Sequence, residues 1–203
     1  EENPSATENL LAQLEKQGIN AKVDFSLLTG LQGLIRETKG NITVAVRDNN
    51  EVVALYPQGK QQIIGAAIDI GSTTLALYIY DLQNGKLVYE SSAMNPQIRY
   101  GEDLMSRVSY VMMNKDGDKK LTQAVRTKIT EMLHEACEIL ELQWDKLLEI
   151  VLVGNPIMHH IFFGISPVEL GQAPFTVAKR DWIDVDAKDL GFDLYAKTRM
   201  SFL

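Results

Sequence analysis

The stretch from Ile63 to Asp81, IIGAAIDIGSTTLALYIYD, constrains this chain more than any other. Two apolar runs flank Gly71-Ser72-Thr73-Thr74, and a short apolar run broken by glycine and small hydroxyl residues predicts a buried β-hairpin. Asp69 closes the first run. Read as buried, a carboxylate there is costly unless it is paired, hydrogen-bonded or near a metal. Asp-x-Gly-Ser-Thr-Thr offers one way to meet that cost. Gly71 lets the backbone turn tightly, the N–H groups of Ser72 to Thr74 point at phosphate oxygens, and Asp69 holds a hydrated Mg²⁺. The plainer alternative is a hairpin turn with a solvated aspartate, because short motifs recur by chance.

The rest of the composition narrows the setting. A net charge of -7 and a pI near 5.0 argue against non-specific binding to nucleic acid or an anionic membrane, whose signature is a basic face. No apolar run reaches membrane-spanning length and no signal peptide is visible, so a cytoplasmic protein is expected. With 203 residues, 45% of them hydrophobic, the chain can bury a real core in one or two domains. The single cysteine, Cys137, allows no internal disulfide and no cysteine-ligated cluster; its helical setting predicts a small buried hydrophobe. The chain starts at Glu1 without methionine and ends at Leu203 without a terminating signal, so it is expected to be a piece of a longer protein.

Before the hairpin, Ser5-Ala6-Thr7-Glu8 fits a capping box, Leu10, Leu11 and Leu14 share a helix face, and Gly18 stops it. A short extended segment at Ala21 to Val23 follows, then an amphipathic helix marked by Leu27, Leu28, Leu31, Leu34 and Ile35. Strands at 42–46 and 52–56, joined by Asp48-Asn49-Asn50, complete a small α+β unit over residues 1–60, with Pro57 to Lys60 as linker. Nothing in this unit carries chemistry. After the hairpin, Asn84-Gly85 leads into a third strand, Leu87 to Ser92, making an antiparallel meander. Helices are expected at Glu102 to Met113, Leu121 to Leu140 and Pro156 to Phe163, with a buried strand at Ile150 to Val153. Ser166-Pro167-Val168-Glu169 fits another capping box with Pro at N1. The pattern weakens into a charged stretch from Lys179 to Asp193. Asn114 to Asp118 has too few ligands for a calcium loop.

Three strands, two helices and a further buried strand, with Asp-x-Gly at the first turn, resemble half of an actin-like ATPase, and Gly65 to Thr74 resembles its first phosphate loop. Three further segments narrow the resemblance. Asn95-Pro96-Gln97 with Tyr100-Gly101-Glu102-Asp103-Leu104-Met105-Ser106-Arg107-Val108 is similar to a segment of the reductive activators of corrinoid proteins. Gly154-Asn155, Met158-His159-His160 and Gly164-Ile165-Ser166-Pro167 resemble another, and Ala173-Pro174-Phe175 a third. Pro156-Ile157 and Glu102 depart from the family pattern, which commonly has Thr-Thr and a small residue there.

The resemblance implies an α/β (α+β) chain: a small middle domain over 1–60, then the first lobe of an actin-like (ribonuclease H-like) ATPase over 61–203. It implies ATP-driven electron transfer that returns a corrinoid cofactor to Co(I), with ATP and Mg²⁺ as cofactors. A two-iron two-sulfur cluster is expected only in a ferredoxin-like domain outside this chain, through which the electron donor would act. The partner is a corrinoid protein, with no nucleic acid or membrane, and the separated lobe is expected to self-associate as a homo-oligomer.

By the same resemblance Asp69 binds the Mg²⁺ hydration shell and Gly71, Ser72, Thr73 and Thr74 cradle the β/γ-phosphates. Asn155 lines the cleft. Asp103 or Gln97 orients the attacking water, or else they are a helix N-terminal charge and a loop-closing amide. Arg107 reaches phosphate or, as favoured by helical spacing, pairs with Asp103. His159 and His160 fall on different helix faces with no third metal ligand at a suitable spacing. Two other readings stand beside this one: a kinase or dehydratase activator of the same superfamily, and, for the piece alone, a non-catalytic module that binds a corrinoid protein.

Overall fold

In the computed structural model, which describes residues 4–59 and 61–203, the chain divides after Gln61 into two units. The first opens with helix α1 (Ala6–Glu15). Its N-cap Ser5 accepts from the Glu8 N–H at 3.2 Å while the Glu8 carboxylate accepts from the Ser5 N–H at 2.6 Å. Two orphan donors of the first turn are thereby satisfied reciprocally. Strand β1 (Lys22–Val23), helix α2 (Phe25–Glu37) and the hairpin of β2 (Ile42–Arg47) and β3 (Glu51–Pro57) follow. Asp48 and Asn49 both take positive φ, 48° and 60°, which matches the twist of a tight hairpin. The sheet order is β1-β3-β2, with β1 parallel to β3. Its core is small: Leu10, Leu14, Ala21, Leu31 and Val52. Of the apolar positions expected to face inward on α2, Leu31 is buried, whereas Leu27, Leu34 and Ile35 are half-buried and Leu28 is exposed. Pro57 ends β3 instead of opening the linker, and Lys60 lies outside the described residues.

The second unit is built on the expected hairpin, β4 (Ile64–Ile70) and β5 (Thr74–Asp81), which pair from Ile64↔Asp81 to Ile70↔Leu75. Strand β6 (Lys86–Met94) runs longer than its apolar residues suggested and completes the meander. Helices α3 (Leu104–Met113) and α4 (Gly117–Ile139) then lead to strand β7 (Leu147–Gly154), which lies parallel to β4. Helix α5 (Pro156–Phe163) ends at Gly164, whose φ of 73° is a left-handed C-cap. Strands β8 (Ile183–Asp186) and β9 (Arg199–Phe202) close a six-stranded mixed sheet of order β6-β5-β4-β7-β9-β8.

Alternation along the strands makes the sheet two-faced. Ile64, Ala66, Ile68 and Ile70 of β4, Leu75, Leu77 and Ile79 of β5, and Ile150 and Leu152 of β7 are buried in one core with Leu121, Val125, Ile129 and Leu133 of α4 and Ile161 and Phe162 of α5. The alternate positions Tyr78, Tyr80 and Val153 stay 37%, 37% and 40% exposed. Asp69 belongs to this second set.

Two expectations fail here. Ser166 to Glu169 starts no α-helix: the Ser166 hydroxyl accepts from the Val168 N–H, but the chain makes a single 3-10 turn, Val168–Leu170. Gly171 and Pro174 follow within one turn, and each disfavours a helix interior. The charged stretch from Lys179 to Asp193 holds one strand that its charges conceal, and a second follows beyond it. Ile183 and Val185 alternate with aspartates, and Met200 and Phe202 with Arg199 and Ser201.

Candidate functional site

Asp69, Gly71 to Thr74 and Asn155 come together at one end of the sheet. Asp69 is the penultimate residue of β4, the loop follows, and the pairing Ile70↔Gly154 sets the start of α5 beside it. Asn155 is the N-cap of that helix, its Oδ1 accepting from the Ile157 N–H at 2.9 Å.

The loop is held from inside by its carbonyls. Gly71 N–H donates across the turn to Thr74 O at 3.0 Å. Gly71 O accepts from Asn95 Nδ2 at 2.8 Å, Ser72 O from Arg107 Nη2, and Thr73 O from the Asn95 N–H at 2.8 Å. All four carbonyls of residues 71–74 are thus engaged by protein donors. In a trans peptide the N–H points opposite to the C=O of the same plane. Fixing the Gly71 and Ser72 carbonyls inward therefore aims the Ser72 and Thr73 N–H groups outward, and neither has a partner among the described residues. Two successive outward N–H groups make a small anion-binding concavity.

Behind the loop lies a buried polar network. Asn95, Gln97 and Arg107 are each 0% exposed. Asn95 caps the 3-10 turn Pro96–Tyr100, accepting from the Gln97 N–H at 3.0 Å. The Gln97 amide donates to Leu121 O at 3.0 Å and accepts from Arg107 Nη1 at 3.1 Å. Arg107 also donates to Gly101 O at 3.0 Å and reaches Met158 Sδ of α5 at 3.4 Å. Gly101 has no room for a side chain, since a Cβ would stand 2.7 Å from the backbone nitrogen of Arg107. Two of the segments that carried the resemblance, those holding Asn95 to Arg107 and Met158, meet here in one cluster under the loop.

This corrects two expectations. Asp69 is exposed, not buried, and its carboxylate makes no hydrogen bond or ion pair among the described residues. It sits on the uncovered sheet face, so solvent hydrates its charge. Arg107 does not pair with Asp103 one turn away. Asp103 is instead the exposed N-cap of α3, its Oδ1 taking the Ser106 N–H at 2.7 Å, and that backbone bond, with the Ser106 hydroxyl, lowers its pKa. Capping satisfies the carboxylate locally, which frees Arg107 to turn inward. Burial pushes the Arg107 guanidinium below its ordinary value, and Asp103 pulls it partly back. Gln97 has both ends of its amide occupied by protein. Sequence reasoning quoted Asn95 and Met158 for resemblance but missed that they support the loop; no local periodicity reports a contact across 24 or 51 residues.

The histidines stand apart from one another in role. His160 accepts from the Ala178 N–H at 3.0 Å through Nε2 and its Nδ1 meets Pro156 O at 2.8 Å, which sets Nδ1 as the protonated nitrogen. His159 packs edge-on against Phe163 and Phe202, with ring centroids 5.0 and 4.9 Å away. Among the described residues no group of three metal-ligating side chains converges, and no helix is long and apolar enough to cross a membrane.

Residues 64–203 match the family model described as the RACo middle region, and residues 1–62 the one described as the RACo linker region. The term "middle" thus attaches to the second unit. The corrinoid activation enzyme RamQ of Eubacterium limosum is 28% identical over 156 residues, 76% of this chain and 26% of that protein. A solved structure of a reductive activator for corrinoid, iron-sulfur protein matches with a TM-score of 0.86 at 28% identity, over 98% of this chain and 33% of that one. The chain therefore spans about a third or less of the length of these relatives.

Proposed function

The chain belongs to the RACo family, and from that premise we propose that it forms part of an ATP-dependent reductive activator returning the cobalt of a corrinoid protein from Co(II) to Co(I). The observation that carries this reading is the loop itself. Four engaged carbonyls leave the Ser72 and Thr73 N–H groups outward, beside an unpaired Asp69, in a chain matched by the family over nearly its whole length. Those groups fit a Mg²⁺-bound polyphosphate: N–H donors for β/γ oxygens, a free carboxylate for the ion's water shell, and exposed Thr73 and Thr74 hydroxyls nearby.

Mg²⁺-ATP would supply the free energy for the uphill electron transfer. This chain's residues bind and orient it. Gly71 to Thr74 hold phosphate, Asp69 orders the hydrated ion, and Asn155 edges the cleft. Asp103, whose carboxylate is exposed, keeps the water-orienting role, whereas Gln97 supports the network beneath the loop.

The test uses the full-length protein that carries this segment, supplied with Mg²⁺-ATP, a reductant and an oxidised corrinoid protein. Co(I) absorbance rises with ATP consumption, no phosphorylated sugar or carboxylate forms, and Asp69→Ala abolishes hydrolysis while the fold persists. ATP consumption that tracked a phosphorylated metabolite would instead make the protein a kinase.

A further inference from the structure

We propose that Arg107 is a positioning residue for bound phosphate, fixing the outward N–H groups of the loop and placing an unneutralised positive charge directly behind them. The inference rests on the phosphate-binding reading above and deepens it.

Buried guanidinium groups are ordinarily matched by carboxylates, because desolvating a lone charge is expensive. Arg107 is fully buried, yet its partners among the described residues are all neutral: the Ser72 and Gly101 carbonyls, the Gln97 amide oxygen and the Met158 sulfur. The carboxylate within reach by helical spacing, Asp103, is committed to capping α3. Carbonyl dipoles solvate the charge without cancelling it. An anion on the outer side of the loop is then its natural counter-charge, with a single peptide plane between them.

Geometry adds a second effect. The planar fork reaches α5, the 3-10 turn and the loop from one side chain, which a lysine ammonium cannot do with the same rigidity. Its bond to Ser72 O sets the peptide plane that carries the Thr73 N–H. Position and charge are therefore delivered by one residue that never touches the ligand.

The experiment follows the Ser72 and Thr73 amide resonances of the 203-residue chain during titration with inorganic phosphate and with tripolyphosphate, both with Mg²⁺. The two amides of the wild type shift saturably. Arg107→Met, which removes charge and fork, weakens tripolyphosphate binding roughly tenfold or more, in line with losing an interaction between charged groups. The loss is larger for tripolyphosphate than for phosphate, because a missing charge acts in proportion to the charge it faced. Arg107→Lys retains the charge and serves if the methionine variant does not fold: its loss is similar for both ligands. Folded variants that bind both ligands as the wild type does would overturn the inference and leave the phosphate-loop reading standing. A wild type whose amides do not move overturns that reading, and the inference falls with it.

Discussion

Gly71 and Thr74 close the loop on each other. The Gly71 N–H donates to the Thr74 carbonyl at 3.0 Å, and a Cβ on residue 71 would sit 2.7 Å from that same oxygen. The glycine is required by proximity of the backbone within the turn. Gly71→Ala is expected to destabilise the second unit by about 1–3 kcal/mol, the usual range for forcing an extra carbon into a packed site, and to weaken phosphate binding as well. Chemical denaturation measures the first effect; an alanine variant of wild-type stability would mean the turn yields easily.

His159 gives the second unit a pH dependence. Burial, and after it the neighbouring His160, hold the imidazole below its ordinary pKa. The neutral ring is the one the fold accepts. Its contribution is complete above the unfolded value of about 6.5 and is lost as pH falls through the depressed folded value. His160, Lys179, Arg180 and Asp181 line the same cavity of about 350 Å³. His159→Phe removes the titration while keeping the ring packing, so the gap in melting temperature between wild type and variant should widen in the variant's favour from pH 7 towards pH 5. A constant gap would remove His159 from the account.

Cys137 behaves as a hydrophobe. It is 3% exposed, and burial pushes its thiol up to about 11. At pH 8 roughly one molecule in a thousand would carry the thiolate that reacts. Maleimide labelling should therefore be slow in the native chain and quick after denaturation, read by mass spectrometry. Rapid native labelling would place the thiol at the surface.

The chain on its own should hold Mg²⁺-ATP weakly and self-associate. The loop offers contacts to phosphate from one side, where salt screens exposed charges. Tyr78, Tyr80, Val153 and the 71%-exposed Met94 leave apolar surface that favours association. Calorimetric titration with light scattering checks both halves, and tight binding by a monodisperse monomer would contradict them.

Local chemistry wrote much of this fold legibly into the sequence. The Ser5–Glu8 box, the Asp48-Asn49 turn, the β4–β5 hairpin and the bounds of α5 depend on neighbours within a few residues, and each stands where the pattern placed it. The strands at Ile183 and Arg199 were obscured because their alternation is brief and set among charges. The site divides along the same line. Asp69 and the loop could be named from their own hexapeptide, but the exposure of Asp69 depends on which sheet face the helices cover. That Arg107 would forsake Asp103 depends on the cap at Ser106 and on acceptors supplied by Ser72, Gln97 and Met158.

The inward-tied carbonyls of the loop also bear on the kinetics of capture. Confining a residue's backbone to one conformation costs roughly 1–2 kcal/mol of entropy, and for Gly71 to Thr74 that loss occurs when the sheet and the Asn95–Arg107 network assemble. A ligand arriving at the finished loop meets a surface already ordered. Association should therefore be a single concentration-dependent phase, with no slower step in which the loop folds around its guest.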